Sequence, residues 1–356
     1  MNAKPSFSKV EIHGSGLIGT SIALALAQLG VEVRMIDSDN RAETLAQELV
    51  GAVSSDSFTP ELVIAAVPIS AISSVISTLE ERDFNGAFID VASVKTKVKV
   101  EVSSSKLSVE RFLPTHPMAG REVGGAESAR SDLFQGRAWI IDSTGVDDDV
   151  LEMAKELIAA LGADLVDLPV AEHDQAVALI SHLPQIIASI LAKQLSGNPE
   201  SWLTLAGSGL RDTTRIAGSD PKLWREIIAT NNESIKPLLK NFARDLGEFI
   251  EVIGDESAVE EMIADGQRGR LAIPGKHGGK VREYVYLPIV IEDKPGQLSA
   301  IFNECARANV NIEDLSIEHS PGQETGLITL AISPSDLGKL SDHLSKAGWS
   351  VHAPRA

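Results

Sequence analysis

Residues 10–37, VEIHGSGLIGTSIALALAQLGVEVRMID, constrain this chain more than any other stretch. A short apolar strand carrying Val10 and Ile12 runs into Gly14-Ser15-Gly16-Leu17-Ile18-Gly19. An alanine- and leucine-rich helix over 17–29 follows, Gly30 ends it, and a second strand over 31–36 stops at Asp37. Strand, turn, helix and strand, with G-x-G-x-x-G at the first turn and an acid about 20 residues on, is the pattern of a dinucleotide-binding βαβ unit. Gly14 makes the tight turn, Gly16 lets backbone approach a pyrophosphate, and Gly19 lets the helix lie close on the sheet. Free N–H groups at the helix N-terminus face the phosphates. Asp37 accepts from a ribose 2′-hydroxyl and repels a 2′-phosphate, which selects NAD and disfavours NADP. The cofactor-binding candidates are Gly14, Ser15, Gly16, Leu17, Ile18, Gly19 and Asp37, joined by Val67 and Pro68 at the end of a later strand.

Helix and strand patterns alternate after Asp37. Helices are expected over 41–49, 71–80, 95–103 and 148–161, and strands over 61–68, 86–91, 111–114, 138–141 and 164–168. Such alternation predicts one parallel, doubly wound, Rossmann-type sheet, with ligands outside the carboxyl ends of the strands. The glycine turn, Val67-Pro68, Ser93 and His116 all fall at such ends. From Ala171 the texture becomes helical to about Ile263, with one long helix over 172–195 bent at Pro184 and further helices over 202–216 and 223–253. The glycine-rich, basic stretch 266–280 reads as a linker. The last unit has the order βαββαβ, with strands over 285–291, 315–318, 326–332 and 350–352, helices over 299–308 and 335–347, and a turn at Pro321-Gly322. The expected division is residues 1–169, 170–265, a linker 266–283, and 284–356.

A chain of 356 residues exceeds what one core usually holds, and 43% apolar content is ample for several. The net charge of −18 argues against nucleic acid or an anionic membrane surface as partner. It leaves a small anionic substrate open, since a few local arginines suffice for one. The single Cys305 excludes an intrachain disulfide and cysteine-based metal clusters, and fits a cytoplasmic location. No His/Asp/Glu set has metal spacing, so no metal is expected. The N-terminus lacks a secretory signal, and no run of about 20 uncharged apolar residues predicts a membrane-spanning helix.

His116 is the first catalytic candidate: a neutral imidazole at a strand end, beside the expected nicotinamide, can take the proton of an alcohol as hydride leaves its carbon. A structural histidine bonded to backbone is the other reading. Ser93, after the strand over 86–91, reads as a helix N-cap or a substrate contact, two roles that do not exclude each other. His182 and Gln185 share one face of the long helix, whereas His173 and Asp174 are placed on its solvated face. Arg211 and Arg215 are four apart, so two guanidinium groups on one face either clamp carboxylates or pair at the surface with Asp212 or Glu226.

Together GSGLIGTS (14–21), DVASVK (90–95), HPMAGRE (116–122), DLFQGRAW (132–139), SHLPQ (181–185) and LRDTTRIAGSDPKLW (210–224) resemble prephenate dehydrogenases of the TyrA family over nearly the whole chain. The tail, with DKPGQL and residues 309–312, looks like an ACT domain. The resemblance implies NAD-dependent conversion of prephenate to 4-hydroxyphenylpyruvate, or of arogenate to tyrosine, in a homodimer with tyrosine as effector. It assigns His116 to the substrate hydroxyl, Ser93 to a hydrogen bond beside it, and Arg215 to a substrate carboxylate. Glu122 and the Arg211-Asp212 pair match charges near the site entrance, His182 and Gln185 match substrate-side groups, and Trp224 matches a tryptophan reaching toward the partner subunit's site. In the ACT unit, Asp293, Gly296 and Asn311 match effector-facing positions.

One departure stands out. Many prephenate-using relatives carry a second histidine where this chain has Gln185, and glutamine cannot carry charge. Prephenate is the preferred reading and arogenate the alternative. A 3-hydroxyacid or ketol-acid reductase would need a lysine along the long helix, which offers only Lys193 near its end. A non-catalytic NAD-sensing regulator would need no base, so His116, Ser93 and Arg215 argue against it.

Overall fold

The computed structural model describes residues 4–51, 58–120, 123–273, 284–319 and 324–354, in two compact units divided after Ile250. In the first unit, β1 (Lys9–His13), β2 (Glu32–Ile36), β3 (Leu62–Ala65), β4 (Ala87–Asp90) and β5 (Phe112–Leu113) form a parallel sheet in the order β2-β1-β3-β4-β5. Three helices connect them: α1 (Leu17–Gln28), α2 (Asn40–Val50) and α3 (Ile72–Glu81); α4 (Thr96–Ser103) leads from β4 towards β5. Side chains alternate across each strand. Val10, Ile12, Leu62, Ile64 and Ile89 pack on one face, and Val63, Ala65, Phe88 and Phe112 on the other. The sheet is thus buried on both sides, as parallel sheets require.

The strands expected to extend that sheet do not join it. β6 (Thr115–Pro117), β7 (Ala138–Ile141) and β8 (Asp164–Asp167, reached through α5, Asp148–Ala160) make a separate three-stranded sheet, with β6 antiparallel to β7. Pro114 ends β5 after two residues, because proline offers no N–H to the ladder, and its carbonyl accepts instead from Asp142 N. His116 therefore sits in the second sheet, opposite Ile140, rather than at the end of a parallel strand.

β1 carries an unusual charge. Glu11 is fully buried, 2.8 Å from His13 Nε2 and bonded by both terminal nitrogens of Arg82. Burial pushes its carboxyl up, but the His13 and Arg82 hydrogen bonds outweigh that and hold it at about 2, against an ordinary 4.5. The depressed value makes its contribution to stability complete above the ordinary carboxylate range and lost as pH falls through about 2. Glu11→Gln should destabilise the fold by about 1–3 kcal/mol at neutral pH and flatten its acid-unfolding profile between those values, read by circular dichroism. An unchanged acid profile would show that this cluster does not govern acid stability.

The helical part follows. α6 (Val170–Val177) passes through a π-helical turn at Ala178–His182 into α7 (Leu183–Lys193), so the expected bend at Pro184 is a widened turn just before it. Pro184 has no N–H for the carbonyl four residues back, and the turn relaxes around that gap. The whole helix, 170–193, is long and apolar enough to cross a membrane by length and composition alone, although it is not an uncharged run, since Glu172, Asp174 and Lys193 lie in it; core helices of soluble proteins pass the same test. α8 (Glu200–Leu203) and α9 (Ser208–Thr214) replace the single helix expected over 202–216. α10 (Pro221–Thr230) and α11 (Asn232–Val252) replace the next one, broken at Asn231. Trp224 and Ile227 of α10 join the sheet face that holds Val63 and Phe88.

In the second unit, α12 (Glu256–Leu271) runs past Gly266, where a linker was expected; positions 274–283 lie outside the described residues. The order β9 (Val285–Glu292), α13 (Gln297–Arg307), β10 (Asp314–His319), β11 (Thr325–Ile332), α14 (Leu337–Lys346), β12 (Ser350–Val351) gives an antiparallel sheet β10-β11-β9-β12. Leu287, Ile289, Ile328 and Leu330 face the helices, where Ile301, Leu340 and Leu344 meet them. The turn expected at Pro321-Gly322 lies outside the described residues.

Candidate active site

The glycine turn opens the site. Gly14 has φ +108°, and a Cβ there would lie 2.3 Å from the Ala66 carbonyl oxygen. A Cβ on Gly19 would lie 2.0 Å from the Gly14 carbonyl oxygen, so only glycine lets α1 sit this close to the turn. Gly16 differs: a Cβ there meets nothing within 4 Å. It is the N-cap of α1 and no side chain caps the helix, which leaves N–H groups facing open space. Leu17 is buried, Ile18 packs on the core, and the buried Ser15 and Thr20 hydroxyls have no partner among the described residues. Asp37 accepts from Ser15 N at 2.6 Å and Asp39 N at 2.9 Å, while its own N–H donates to Glu43 at 2.8 Å. An uncapped helix start, an open glycine and an acid at the end of β2 fit a dinucleotide. Val67 and Pro68 follow β3, just beyond the Ala66 carbonyl that packs on Gly14.

The histidines form the second half. Lys95 and Asp90 are both fully buried and paired, and Lys95 Nζ also donates to the Thr115 carbonyl at 2.6 Å. Asp90 returns two bonds to Thr115, accepting from its N–H at 3.2 Å and, through its backbone carbonyl, from its hydroxyl at 2.6 Å. This clamp fixes β6 one residue before His116. The His116 Nδ1 lies 2.9 Å from His173 Nε2, and His173 Nδ1 lies 2.8 Å from Asp174 Oδ1. Asp174 also accepts from Lys95 N at 2.8 Å and Thr96 N at 2.9 Å, capping α4 from another helix. The solvated face expected for His173 and Asp174 is therefore wrong: both are buried.

The π turn explains that placement. Asp174 and His182 stand eight residues apart, which a regular α-helix would separate by about 80° of rotation; absorbing one residue brings them to within roughly 20°. Asn231, at the break between α10 and α11, ties them: its Nδ2 donates to the Asp174 carbonyl at 2.7 Å and to His182 Nδ1 at 3.2 Å. His182 also meets the edge of Trp224, with ring centres 5.9 Å apart.

Charge follows from these contacts. Burial, then His173, Lys95 and His182, hold the His116 imidazole well below the ordinary histidine range, against a smaller opposing pull from Asp174. Burial brings His182 down to about 4 despite Asp174. Burial pushes Asp174 up, but hydrogen bonds from His173, Lys95 and Thr96 bring it to about 2. At neutral pH His116 and His182 are therefore neutral and Asp174 is a carboxylate, so the site can accept a proton at His116.

Comparison with known families agrees with this arrangement. Residues 22–167 match the nucleotide-binding domain of prephenate dehydrogenase, 169–264 its dimerization domain, and 285–347 the ACT domain. The chain belongs to the prephenate dehydrogenase family. It is 30% identical to the probable prephenate dehydrogenase NovF of Streptomyces niveus, over 96% of this chain and 99% of that protein. The crystal structure of Aquifex aeolicus prephenate dehydrogenase with hydroxyphenyl propionate and NAD+ superposes with a TM-score of 0.67, at 25% identity, covering 76% of this chain and 100% of that one. Synechocystis arogenate dehydrogenase gives 0.60 at 26% identity, covering 74% and 99%. This family member is a dehydrogenase with a site for a nicotinamide dinucleotide.

The remaining expected site residues lie as follows. Ser93 is half-buried but is not an N-cap, since α4 starts at Thr96 and Asp174 caps it. Gln185 is buried and bonds Ser189 at 3.3 Å. Arg211 and Arg215 are exposed, on α9 and the 3-10 turn after it, and both segments pack on α7. Glu226, offered as their surface partner, instead accepts from Ser70 N. Trp224 meets the edge of His182 of its own chain. Glu122 lies outside the described residues. In the second unit a groove of about 380 Å³ is lined by Glu292, Gln297, Thr325 and Trp349. Asp293 and Gly296 sit in the loop beside it, whereas Asn311 bonds Glu313 at 2.9 Å and does not line it.

His173, Asp174, Asn231 and the Asp90–Lys95 clamp escaped the sequence reading. Pro184 was the available signal: a proline inside an apolar helix shifts the register of everything before it relative to everything after it.

Proposed function

We propose that this chain is an NAD-dependent prephenate dehydrogenase, converting prephenate to 4-hydroxyphenylpyruvate and CO₂. The observation that carries the reading is the neutral His116, held in place by a buried clamp and bonded to the His173–Asp174 pair. Residues 14–19 and Asp37 would hold NAD, which would supply the hydride acceptor for ring carbon 4. His116 takes the hydroxyl proton, Ser93 hydrogen-bonds beside it, and Arg215, with Arg211 nearby, holds a carboxylate. Aromatisation of the ring drives loss of CO₂.

Arogenate is the second reading, and one observation favours it: the wall formed by His182 and Gln185 is buried and carries no cation at neutral pH, so it does not repel an ammonium. The deciding experiment follows NADH formation with NAD and either substrate, with and without tyrosine. Turnover of prephenate that tyrosine suppresses is the expected result. Turnover of arogenate alone would reassign the substrate, and silence with both in protein that binds NAD would overturn the catalytic role of His116.

Two carboxylates support NAD over NADP, Asp37 and the Glu43 bonded to its N–H. Asp37→Asn should raise kcat/KM for NADP relative to NAD by about tenfold to a hundredfold, since a like-charge penalty of about 1.4–2.8 kcal/mol is removed. A ratio unchanged from wild type would mean that the 2′-position is read elsewhere. A homodimer fits the apolar groove lined by Leu195, Trp202, Leu203, Leu205 and Leu210, of which Trp202 and Leu205 are 63% and 82% exposed. Tyrosine as effector of the ACT unit and a cytoplasmic location complete the proposal; the lone buried Cys305 suits a reducing compartment.

A further inference from the structure

We propose that His173 is a positioning and proton-relay residue for His116, with Asp174 as its anchor, so that the proton taken from substrate is shared along a chain of three side chains. The inference rests on His116 being the proton acceptor, as proposed above.

Hydrogen-bond direction carries the argument. Asp174 holds three N–H groups, from His173, Lys95 and Thr96, and as an ionised carboxylate it only accepts. His173 Nδ1 must therefore carry a hydrogen, and in the form of the ring with a single hydrogen that leaves Nε2 bare. His116 Nδ1, 2.9 Å from that bare nitrogen, must be the donor. This leaves the His116 Nε2 lone pair as the free basic atom. One tautomer of His116 is selected by a carboxylate two residues away in the chain of contacts, and it is the tautomer a base needs.

The same chain decides where the charge goes. When the substrate O–H bond breaks, an Nε2–H bond forms on His116. An imidazolium there is opposed by the Lys95 charge. Breaking His116 Nδ1–H and forming Nε2–H on His173 moves the positive charge to the ring in contact with the Asp174 carboxylate. No electrons are exchanged along the relay, and no co-reactant is needed. The other charged groups packed here, Asp90 and Lys95, are already paired with each other.

The test uses the full chain with NAD and prephenate. In His173→Gln the amide can accept from His116 and donate to Asp174, so it keeps the orientation but binds no proton. The relay predicts that kcat falls about 10- to 100-fold with KM for prephenate changed less than about threefold. It also predicts that the acid limb of the kcat–pH profile moves to lower pH, because a pair that shares a proton binds it more tightly than His116 alone. A wild-type plateau with an unmoved limb overturns the proposal. Independently of any variant, single-turnover rates of the wild-type enzyme in H₂O/D₂O mixtures should curve with deuterium fraction, as two transferring protons require; a straight line overturns the relay. His116→Asn is measured alongside. If it turns over at the wild-type rate, the reading of His116 itself falls, whereas an inactive His116→Asn with an unaffected His173→Gln removes only the relay.

Discussion

His116→Asn should lower kcat for prephenate oxidation by about 10²–10⁴-fold, the usual contribution of a positioned general base. Thermal stability should stay close to wild type, because His116 is only half-buried and its role is to take a proton rather than to fill the core. Asparagine can keep a hydrogen bond to His173 Nε2 through its amide, but offers no basic nitrogen to the substrate. KM should change little, since the carboxylates are held elsewhere. The wild-type rate should fall at acid pH as His116 protonates. Its pKa is held below the ordinary histidine range, so that fall belongs below the range of a free imidazole. A pH-independent residual rate in the variant, read by stopped-flow NADH absorbance, would complete the picture. Wild-type turnover in His116→Asn would place the base elsewhere.

Lys95→Met should be the most destabilising single change in the site. It leaves the Asp90 carboxylate fully buried without its counter-ion and the Thr115 carbonyl without its donor. Breaking one side of a buried pair costs about 3–5 kcal/mol, which is roughly 4–7 °C in Tm for a protein of this size. The double variant Asp90→Asn with Lys95→Met should recover part of that loss, because the uncompensated charge is gone, although the single amide oxygen keeps only one of the two bonds that Ala92 N and Thr115 N make to separate carboxylate oxygens. Calorimetry on both variants measures the difference. A single variant within about 1 kcal/mol of wild type would mean that β6 is anchored by its pairing with β7 and not by this clamp. Activity should fall further than stability alone explains, since the clamp ends one residue from His116.

The glycine turn was legible because its constraint is local. A backbone at φ +108° and two approaches that no Cβ survives leave glycine as the one residue that fits, whatever the rest of the chain does. The alternation of strand and helix was legible for a similar reason, since side-chain period follows directly from backbone geometry. The second sheet was not. Periodicity reports that residues 138–141 form a strand but carries nothing about which strand they pair with, and Pro114 redirected the chain.

His173 and Asp174 show the limit most clearly. On a regular helix their face and that of His182 diverge, and polar residues on the far face read as solvated. The π turn before Pro184 rotates them together, and the packing of α4 and Asn231 then closes the space around them. The sequence by itself determined the dinucleotide turn, the strand–helix alternation of the first sheet and the family, each written in short-range spacing. Only the tertiary structure decided that a carboxylate, two imidazoles and a buried lysine–aspartate pair converge on His116. Burial and hydrogen-bond direction depend on which distant segments meet, and spacing along one chain does not encode that meeting.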